Sequence, residues 1–268
     1  MKIVTWNINS IRLRMPLLQD FVAQQDPDII CLQETKVTDE LFPELEVRGL
    51  GYPYIIFRGQ KSYNGVAILS KMPLIDPLKL DVAHIDDARH IAAILPDGTE
   101  LHNFYIPAGG DEPDPVINPK FDHKLKSLDF IKDWFAKNRD PKKPMIAVGD
   151  FNIAPLEHDV WSHKQLLNVV SHTPIEVEKL SAMQDSLGWI DVPRYFVPEQ
   201  EKLYSWWSYR NRDWKKSNRG RRLDHIWITE PLKDRLKSHV ILSHMRDFQK
   251  PSDHVPVVME LEKIAEAG

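Results

Sequence analysis

About ten short runs of apolar, mostly β-branched residues are spread along the whole chain, and they leave it little choice of architecture. In order they read KIVTWNI, DIICLQ, YIIF, GVAILS, IAAIL, LHNFYI, MIAVG, LDHIWIT, HVILS and VPVVMEL. Runs of this length and composition are strands. Helical patterns lie between them. Over residues 120–138, Phe121, Leu125, Leu128, Ile131, Trp134 and Phe135 recur at three- and four-residue steps and make one apolar face. Asn118 and Pro119 supply a cap and a first-turn proline for that helix. TPIE at 173–176 is a capping box that opens a helix through Val177, Leu180 and Met183. Strands outnumber helices. The expected fold is of the mixed α/β (α+β) class, with two sheets packed face to face and helices outside.

The 268 residues are 42% hydrophobic and 28% charged, enough for one sizeable core. No linker, low-complexity tract or short repeat divides them, so residues 1–268 read as one domain. Only the final EKIAEAG looks like a disordered tail. Cys31 is the single cysteine and sits inside an apolar run. It cannot form an internal disulfide, which fits a reducing compartment, and its surroundings make it a core residue rather than a nucleophile. A signal peptide and an apolar run of about 18 residues are both lacking. The expected location is cytoplasmic, with no membrane contact. A net charge of −4 excludes a general coat of positive charge. Against that background, residues 210–222, RNRDWKKSNRGRR, stand out as a local basic patch beside Trp206, Trp207, Tyr209 and Trp214.

Several strands end abruptly in polar groups. Asn7 and Asn9 follow KIVTW, Glu34 follows DIICLQ, Tyr105 lies in LHNFYIP, and Asp150 and Asn152 follow MIAVG. Asp224 precedes HIWIT, and Asp253 and His254 precede VPVVMEL. A strand-terminal Asp or Asn ordinarily makes turn hydrogen bonds; Glu34 is harder to explain that way. Some of these residues sit at carboxyl ends of strands and others at amino ends, and antiparallel neighbours bring such ends to one rim. Gathered there, they form an oxygen-rich set suited to a hard cation such as Mg²⁺. It lacks the several Cys or His that structural zinc would take. A hard cation, a carboxylate base, a histidine beside Asp and a basic patch together describe phosphate-ester hydrolysis.

The stretches WNINSIR, PDIICLQETK, GVAILSK, YIPAGG, GDFNIAP, RRLDHIWIT and PSDHVPV resemble, in order and spacing, the exonuclease III family of apurinic/apyrimidinic (AP) endonucleases. That family lies within the endonuclease/exonuclease/phosphatase superfamily, and the likeness runs from residue 1 to about 262. The resemblance implies a four-layered α/β sandwich of the DNase I-like kind, with the site at one rim. It implies an enzyme that cuts duplex DNA on the 5′ side of an abasic site and leaves a 3′-hydroxyl. Exonuclease activity in the 3′→5′ direction and removal of 3′-phosphates go with it. It implies Mg²⁺, with Mn²⁺ as a substitute, held by Glu34 with Asn7 nearby and by Asp150, Asn152, Asp253 and His254. Tyr105, Asp150, Asn152, Asp224 and His254 become the catalytic set. The resemblance leaves both Asp150 and His254 open as the base. Asn9, Lys36, Trp206, Trp207, Arg210 and Arg221 become substrate contacts, and the enzyme is expected to act as a monomer on double-stranded DNA.

The chain departs from the family pattern at two places. Ala108 stands where Asn or Gln is commonest after Y-x-P, and Arg221 stands where some members place an apolar wall of the abasic-sugar pocket. Three rival readings stand beside this one, and a metal-independent lyase of abasic sites, the first, would need a pocket Lys as Schiff-base nucleophile that no motif singles out. Superfamily phosphatases and DNase I-like nucleases typically carry His where this chain has Tyr105. A non-catalytic nucleic-acid-binding module would be expected to have lost Glu34, Asp150 or His254, and all three are present.

Overall fold

A computed structural model describes residues 1–211 and 213–262; the expected tail beyond residue 262 lies outside them. The first half of the chain contributes β1 (Lys2–Asn7), α1 (Met15–Gln25), β2 (Ile29–Gln33), α2 (Glu44–Gly49), β3 (Tyr54–Arg58), β4 (Val66–Ser70), β5 (Ile75–Leu78), β6 (His90–Ile94), β7 (Glu100–Tyr105) and α3 (Pro119–Asn138). The second contributes β8 (Met145–Asp150), α4 (His163–Leu166), α5 (Pro174–Asp185), β9 (Ile190–Asp191), α6 (Val192–Phe196), β10 (Trp206–Trp207), α7 (Trp214–Ser217), β11 (Gly220–Arg221), β12 (Asp224–Ile228), β13 (Leu236–Ile241) and β14 (Val257–Leu261). All ten apolar runs are strands. The short β5, β9, β10 and β11 carry no apolar run of their own.

Two six-stranded sheets result, ordered β13-β14-β1-β2-β4-β3 and β5-β6-β7-β8-β12-β9. Each has one parallel pair, β1 with β2 and β7 with β8, joined through α1 and α3; the other pairings are antiparallel. The inner faces meet through Ile3, Ile29, Cys31 and Ile68 from one sheet and Leu101, Ile146, Val148 and Ile226 from the other. On the outside, Leu17, Leu18 and Phe21 of α1 pack near Val4, Trp6 and Leu32. Leu128, Ile131 and Phe135 of α3 and Leu180 and Met183 of α5 pack near Phe104, Ala147 and Trp227. These are the four layers, helix, sheet, sheet and helix. Both expected helix caps are made. The Asn118 side chain accepts from Lys120 N, and Thr173 and Glu176 cap α5 reciprocally. Cys31 is buried and free, and burial pushes its thiol pKa up, as suits a core residue. Among the described residues no helix is long and apolar enough to cross a membrane.

Strand direction decides where polar ends meet. β1, β2, β7 and β8 run the same way within their parallel pairs and finish at Asn7, Gln33, Tyr105 and Asp150. β12 and β14 run against β8 and β1, so their beginnings lie at those finishing ends: Asp224 sits opposite Asp150 and Val257 opposite Thr5. Gly149 lets β8 approach β7 closely, because a Cβ there would stand 1.9 Å from Phe104 O.

Candidate active site

Asn7 is the hub of the rim. Its Nδ2 donates to Glu34 Oε1 at 2.9 Å and to Asp150 Oδ2 at 2.9 Å, so one amide joins carboxylates from different sheets. Lys36 Nζ lies 2.8 Å from Glu34 Oε2 and donates to Asn9 Oδ1 at 2.6 Å. Asn9 Nδ2 donates in turn to Asp253 Oδ1 at 2.9 Å. Burial works against the Glu34 charge, but Lys36 and Asn7 outweigh it and hold its pKa below the usual carboxylate value.

On the other side of Asp150 stands a charge pair. His254 Nδ1 is 2.8 Å from Asp224 Oδ2, and His254 Nε2 is 3.6 Å from Asp150 Oδ2. Ser205 Oγ donates to the same Asp224 oxygen at 2.6 Å, which fixes the carboxylate's rotation. Burial opposes a charged His254, yet Asp224 and Asp150 raise its pKa to about 10. Burial also pushes the Asp150 carboxyl up, and Asp224 and Glu34 act in the same direction against His254. The two shifts run in opposite senses for charge: the carboxylates favour a cationic imidazole, and burial makes Asp150 more basic than an ordinary carboxylate. Asn152 closes the group. Its backbone N donates to Asp150 Oδ1 at 2.9 Å, and its Nδ2 donates to Asp150 Oδ2 at 3.1 Å and Ile106 O at 2.9 Å. Tyr105 is register partner to Asp150 and carries the Arg89 guanidinium 5.0 Å from its ring centre. Burial, then the charges of Glu34 and Asp150, push its phenol pKa well up, so the hydroxyl keeps its proton.

Several backbone positions at the rim are strained. Asn9, Glu34, Lys36 and Asn152 have φ of 47°, 50°, 53° and 55°, a left-handed region that costs non-glycine residues about 1 kcal/mol or more each. Backbone bonds hold the loops against that cost, including Ser10 N to Glu34 O at 2.7 Å and Lys36 N to Asn64 O at 2.9 Å. Functional side chains are thus presented by strand ends rather than by long loops.

A cavity of about 530 Å³ adjoins the rim. Trp161, Leu166, Val170, Trp206, Arg219 and Arg221 line it, with Arg210 at its margin. Trp206 connects it to the site, since its Nε1 donates to Asp253 Oδ2 at 2.9 Å and its backbone bridges to His254. The Arg221 guanidinium lies 5.3 Å from the Trp206 ring centre and Arg219 lies 4.7 Å from that of Trp161. Trp207 does not share this cavity. It follows Trp206 in a two-residue strand, so its side chain falls on the opposite face. There it packs against Tyr204 and Trp214 and donates to Asn218 Oδ1 at 3.1 Å.

The structure therefore brings together Asn7, Asn9, Glu34, Lys36, Tyr105, Asp150, Asn152, Asp224, Asp253 and His254, with Trp206, Arg210 and Arg221 beside them and Trp207 apart. Of the basic patch, Arg212 lies outside the described residues. Ser205 and Lys124 belong to the site and escape a sequence reading. Ser205 is an ordinary residue before a tryptophan pair, and Lys124 is hidden in an amphipathic helix.

The donor set fits a hard cation. Glu34 and Asp150 offer carboxylate oxygens on either side of the Asn7 amide, which a rotation of that amide would complete with its own oxygen, and the Lys36 ammonium already rests a positive charge on Glu34. Asp150, Asp224 and His254 also present ligand atoms within 4.8 Å of one another. A cation between those three would compete with the imidazole nitrogens that face the two carboxylates.

A sequence model described as the Endonuclease/Exonuclease/phosphatase family matches residues 4–254. Exodeoxyribonuclease III of Haemophilus influenzae is 32% identical, over 98% of this chain and 100% of that protein. DNA repair nuclease APEX1 of Danio rerio is 29% identical, over 97% of this chain and 82% of that protein. An AP endonuclease from Archaeoglobus fulgidus superimposes with a TM-score of 0.91 at 32% identity, over 98% of this chain and 100% of that one. A 3′ phosphatase from Neisseria, solved bound to a product DNA hairpin, superimposes with a TM-score of 0.89 at 29% identity, over the same shares of the two chains.

Proposed function

The chain belongs to the Endonuclease/Exonuclease/phosphatase family, in its exodeoxyribonuclease III and AP endonuclease group, and is a nuclease; from that premise we propose that it is a Mg²⁺-dependent DNA-repair phosphodiesterase that cuts duplex DNA 5′ to abasic sites. The observation that carries this reading is the Asp150 carboxylate, buried between the Asn7 and Asn152 amides and the charged His254–Asp224 pair. A base, hydrogen-bond donors and a fixed positive charge converge on one small volume, as hydrolysis of a phosphodiester requires.

Asp150 takes the proton of the attacking water. Asp224 holds the imidazole ring by Nδ1, so His254 presents its Nε2–H and positive charge to the phosphate oxygens. A charged His254 has no lone pair to offer, which favours Asp150 as the base. Asn152 orients the Asp150 carboxylate through two donors and stabilises charge as it grows on phosphorus. Tyr105, kept protonated, supplies a hydrogen bond to the departing 3′ oxygen. We assign the cation to Glu34, Asp150, Asn7 and Asn152; when bound it would polarise the phosphoryl oxygen and offset leaving-group charge. Asp253 has both oxygens engaged by Asn9 and Trp206 and orients these two. Arg210, Arg219 and Arg221 offer charge to the DNA backbone, and the cavity beside Trp206 receives the flipped-out nucleotide. The same chemistry on a strand end removes 3′-phosphates or terminal nucleotides. We place the enzyme in the cytoplasm as a monomer formed by one domain.

Chelation tests the reading. EDTA should abolish incision of an abasic duplex, and Mg²⁺ or Mn²⁺ should restore it. Glu34→Ala should lose activity far beyond any loss of stability, since no packed apolar group is removed. Full activity in EDTA would overturn the assignment.

A further inference from the structure

The apolar stripe of α3 is broken once. Lys124 lies among Phe121, Leu125 and Leu128 on the buried face of the helix, and its side chain is 0% exposed. A lysine in such a place is costly unless each donor finds an acceptor. Here all three do. Nζ donates to Asn152 O at 2.8 Å and Ala108 O at 3.2 Å, and it lies 2.5 Å from Glu176 Oε1. The three acceptors belong to three segments: the turn after β8, the turn after β7 and the first turn of α5.

Each of those segments leads to the site. Asn152 is the residue at φ 55° whose two donors meet Asp150. Glu176 is itself immobilised, accepting from Ser171 N at 2.9 Å and from Thr173 Oγ1 at 2.7 Å. Ser171 Oγ accepts from Arg221 Nη1 at 2.7 Å, which carries the chain of bonds to the cavity. Asn152 thus has its N–H, its Nδ2 and its carbonyl all tied, and Lys124 makes the last of these ties.

We infer that Lys124, held by Glu176, is a positioning residue that fixes the Asn152 turn so that both Asn152 donors meet the Asp150 carboxylate. The inference rests on the catalytic reading of Asp150 and Asn152. Its rival is a plain staple, in which the ion pair joins α3 to α5 and matters only to stability. A staple and a positioner part company when the charge pair is removed without leaving a buried charge.

The test is the full chain carrying Lys124→Met together with Glu176→Gln. Gln keeps the capping-box acceptor and the shape, and neither residue is left charged. Two quantities are read: kcat and KM on a tetrahydrofuran-containing duplex with Mg²⁺, and the Asn152 side-chain amide resonances of metal-free ¹⁵N-labelled protein. Those resonances are assigned by their loss in Asn152→Ala. A misplacement of this kind predicts a kcat lower by about tenfold or more. KM should stay within about twofold, the Asn152 resonances should shift, the melt should remain cooperative, and Lys124→Arg should recover most of kcat. Unmoved resonances, or a folded double variant with wild-type kcat, would overturn the inference. If the double variant does not fold, Lys124→Met alone decides by the same resonances, because it removes the tie to Asn152 O while Glu176 keeps its Ser171 and Thr173 donors, and unmoved signals again overturn the inference. Absence of cation-dependent incision by the wild-type chain would sink the functional reading instead, while the metal-free resonances would still judge Lys124.

Discussion

Asp150 and Asp224 stand opposite one another on β8 and β12, and His254 lies between their carboxylates, 2.8 Å from Asp224 and 3.6 Å from Asp150. Two buried negative charges and one positive charge share this space, so the protonation of His254 depends on both carboxylates. Asp224→Asn keeps an acceptor for Nδ1 but removes one of the charges. In the wild type, a His254 pKa raised to about 10 keeps the imidazole cationic through neutrality, and that form is lost only as pH rises through 10. The variant should bring the alkaline limb of the kcat profile down toward the ordinary histidine range. Its kcat at neutral pH should fall by about 10²-fold, the size expected for losing a preorganised charge. Unchanged limbs would remove Asp224 from control of His254.

Stability should have its own pH signature, to which His225 contributes alongside other histidines that burial depresses. Its Nε2 bonds Ile153 O at 2.8 Å, while Nδ1 faces Arg222 Nη1 at 3.3 Å, so the ring is held neutral. Burial first, then Arg222, lower its pKa to about 4. A depressed folded pKa means that the unfolded chain takes up the proton first. Stability is therefore full above the unfolded value near 6.5, falls as pH drops toward 4, and levels off below it. Thermal melts across that window should show the fall, and His225→Gln should make it shallower, the remaining slope belonging to His90 and His239, which burial also depresses. Equal slopes for the two proteins would contradict the assignment.

DNA binding should depend on salt through the patch around β11. Lys215 is paired with Asp247 and stands over Trp214, whereas Arg210 and Arg219 make no ion pair among the described residues. Each phosphate contact contributes about 0.9 to the slope of log affinity against log salt. Replacing Arg210, Lys216 and Arg219 with Ala should flatten that slope, and a slope like that of the wild type would return the segment to a solvated surface.

Arg221 should set the balance among substrates. Its guanidinium covers Trp206 and is tied to Val170 O at 3.0 Å, so it gives the cavity a polar wall. Arg221→Leu makes that wall apolar. The ratio of kcat/KM for a tetrahydrofuran site to that for a base-bearing 3′ terminus should rise several-fold. A constant ratio would show that Arg221 does not read the nucleotide.

Much of this architecture was legible in the residues. The ten apolar runs marked the long strands because the central ones pack on both faces and the edge strands β3 and β13 on one, and the polar residues ending them marked the rim. The two-residue β10 and β11 were not legible, because pairing across a long loop creates them rather than local preference. The same limit hid the difference between Trp206 and Trp207: composition puts both beside a basic patch, but strand alternation sends one to the cavity and the other to the core. Lys124 and Glu176 were hidden for another reason. One sits at an ordinary position in a charged amphipathic helix, and the other has a sufficient local role as a helix cap. Their pairing joins residues that are distant in sequence, and only the packing of α3 against α5 brings them together.

The account stands most directly on which bond is broken and by what. Water attack on phosphorus needs no aldehyde, so a tetrahydrofuran analogue, which cannot form a Schiff base, should be cut about as well as a natural abasic site. An abasic nucleotide is also cheap to unstack, whereas a paired base costs a few kcal/mol. The measurement is incubation of a duplex containing one tetrahydrofuran residue with the protein and Mg²⁺, followed by a DNA polymerase without prior trimming. Incision on the 5′ side and immediate extension from a 3′-hydroxyl are predicted. An uncut tetrahydrofuran duplex, together with cleavage of the natural site to an end that no polymerase extends, would mean lyase chemistry and would contradict the roles given to Glu34, Asp150 and His254.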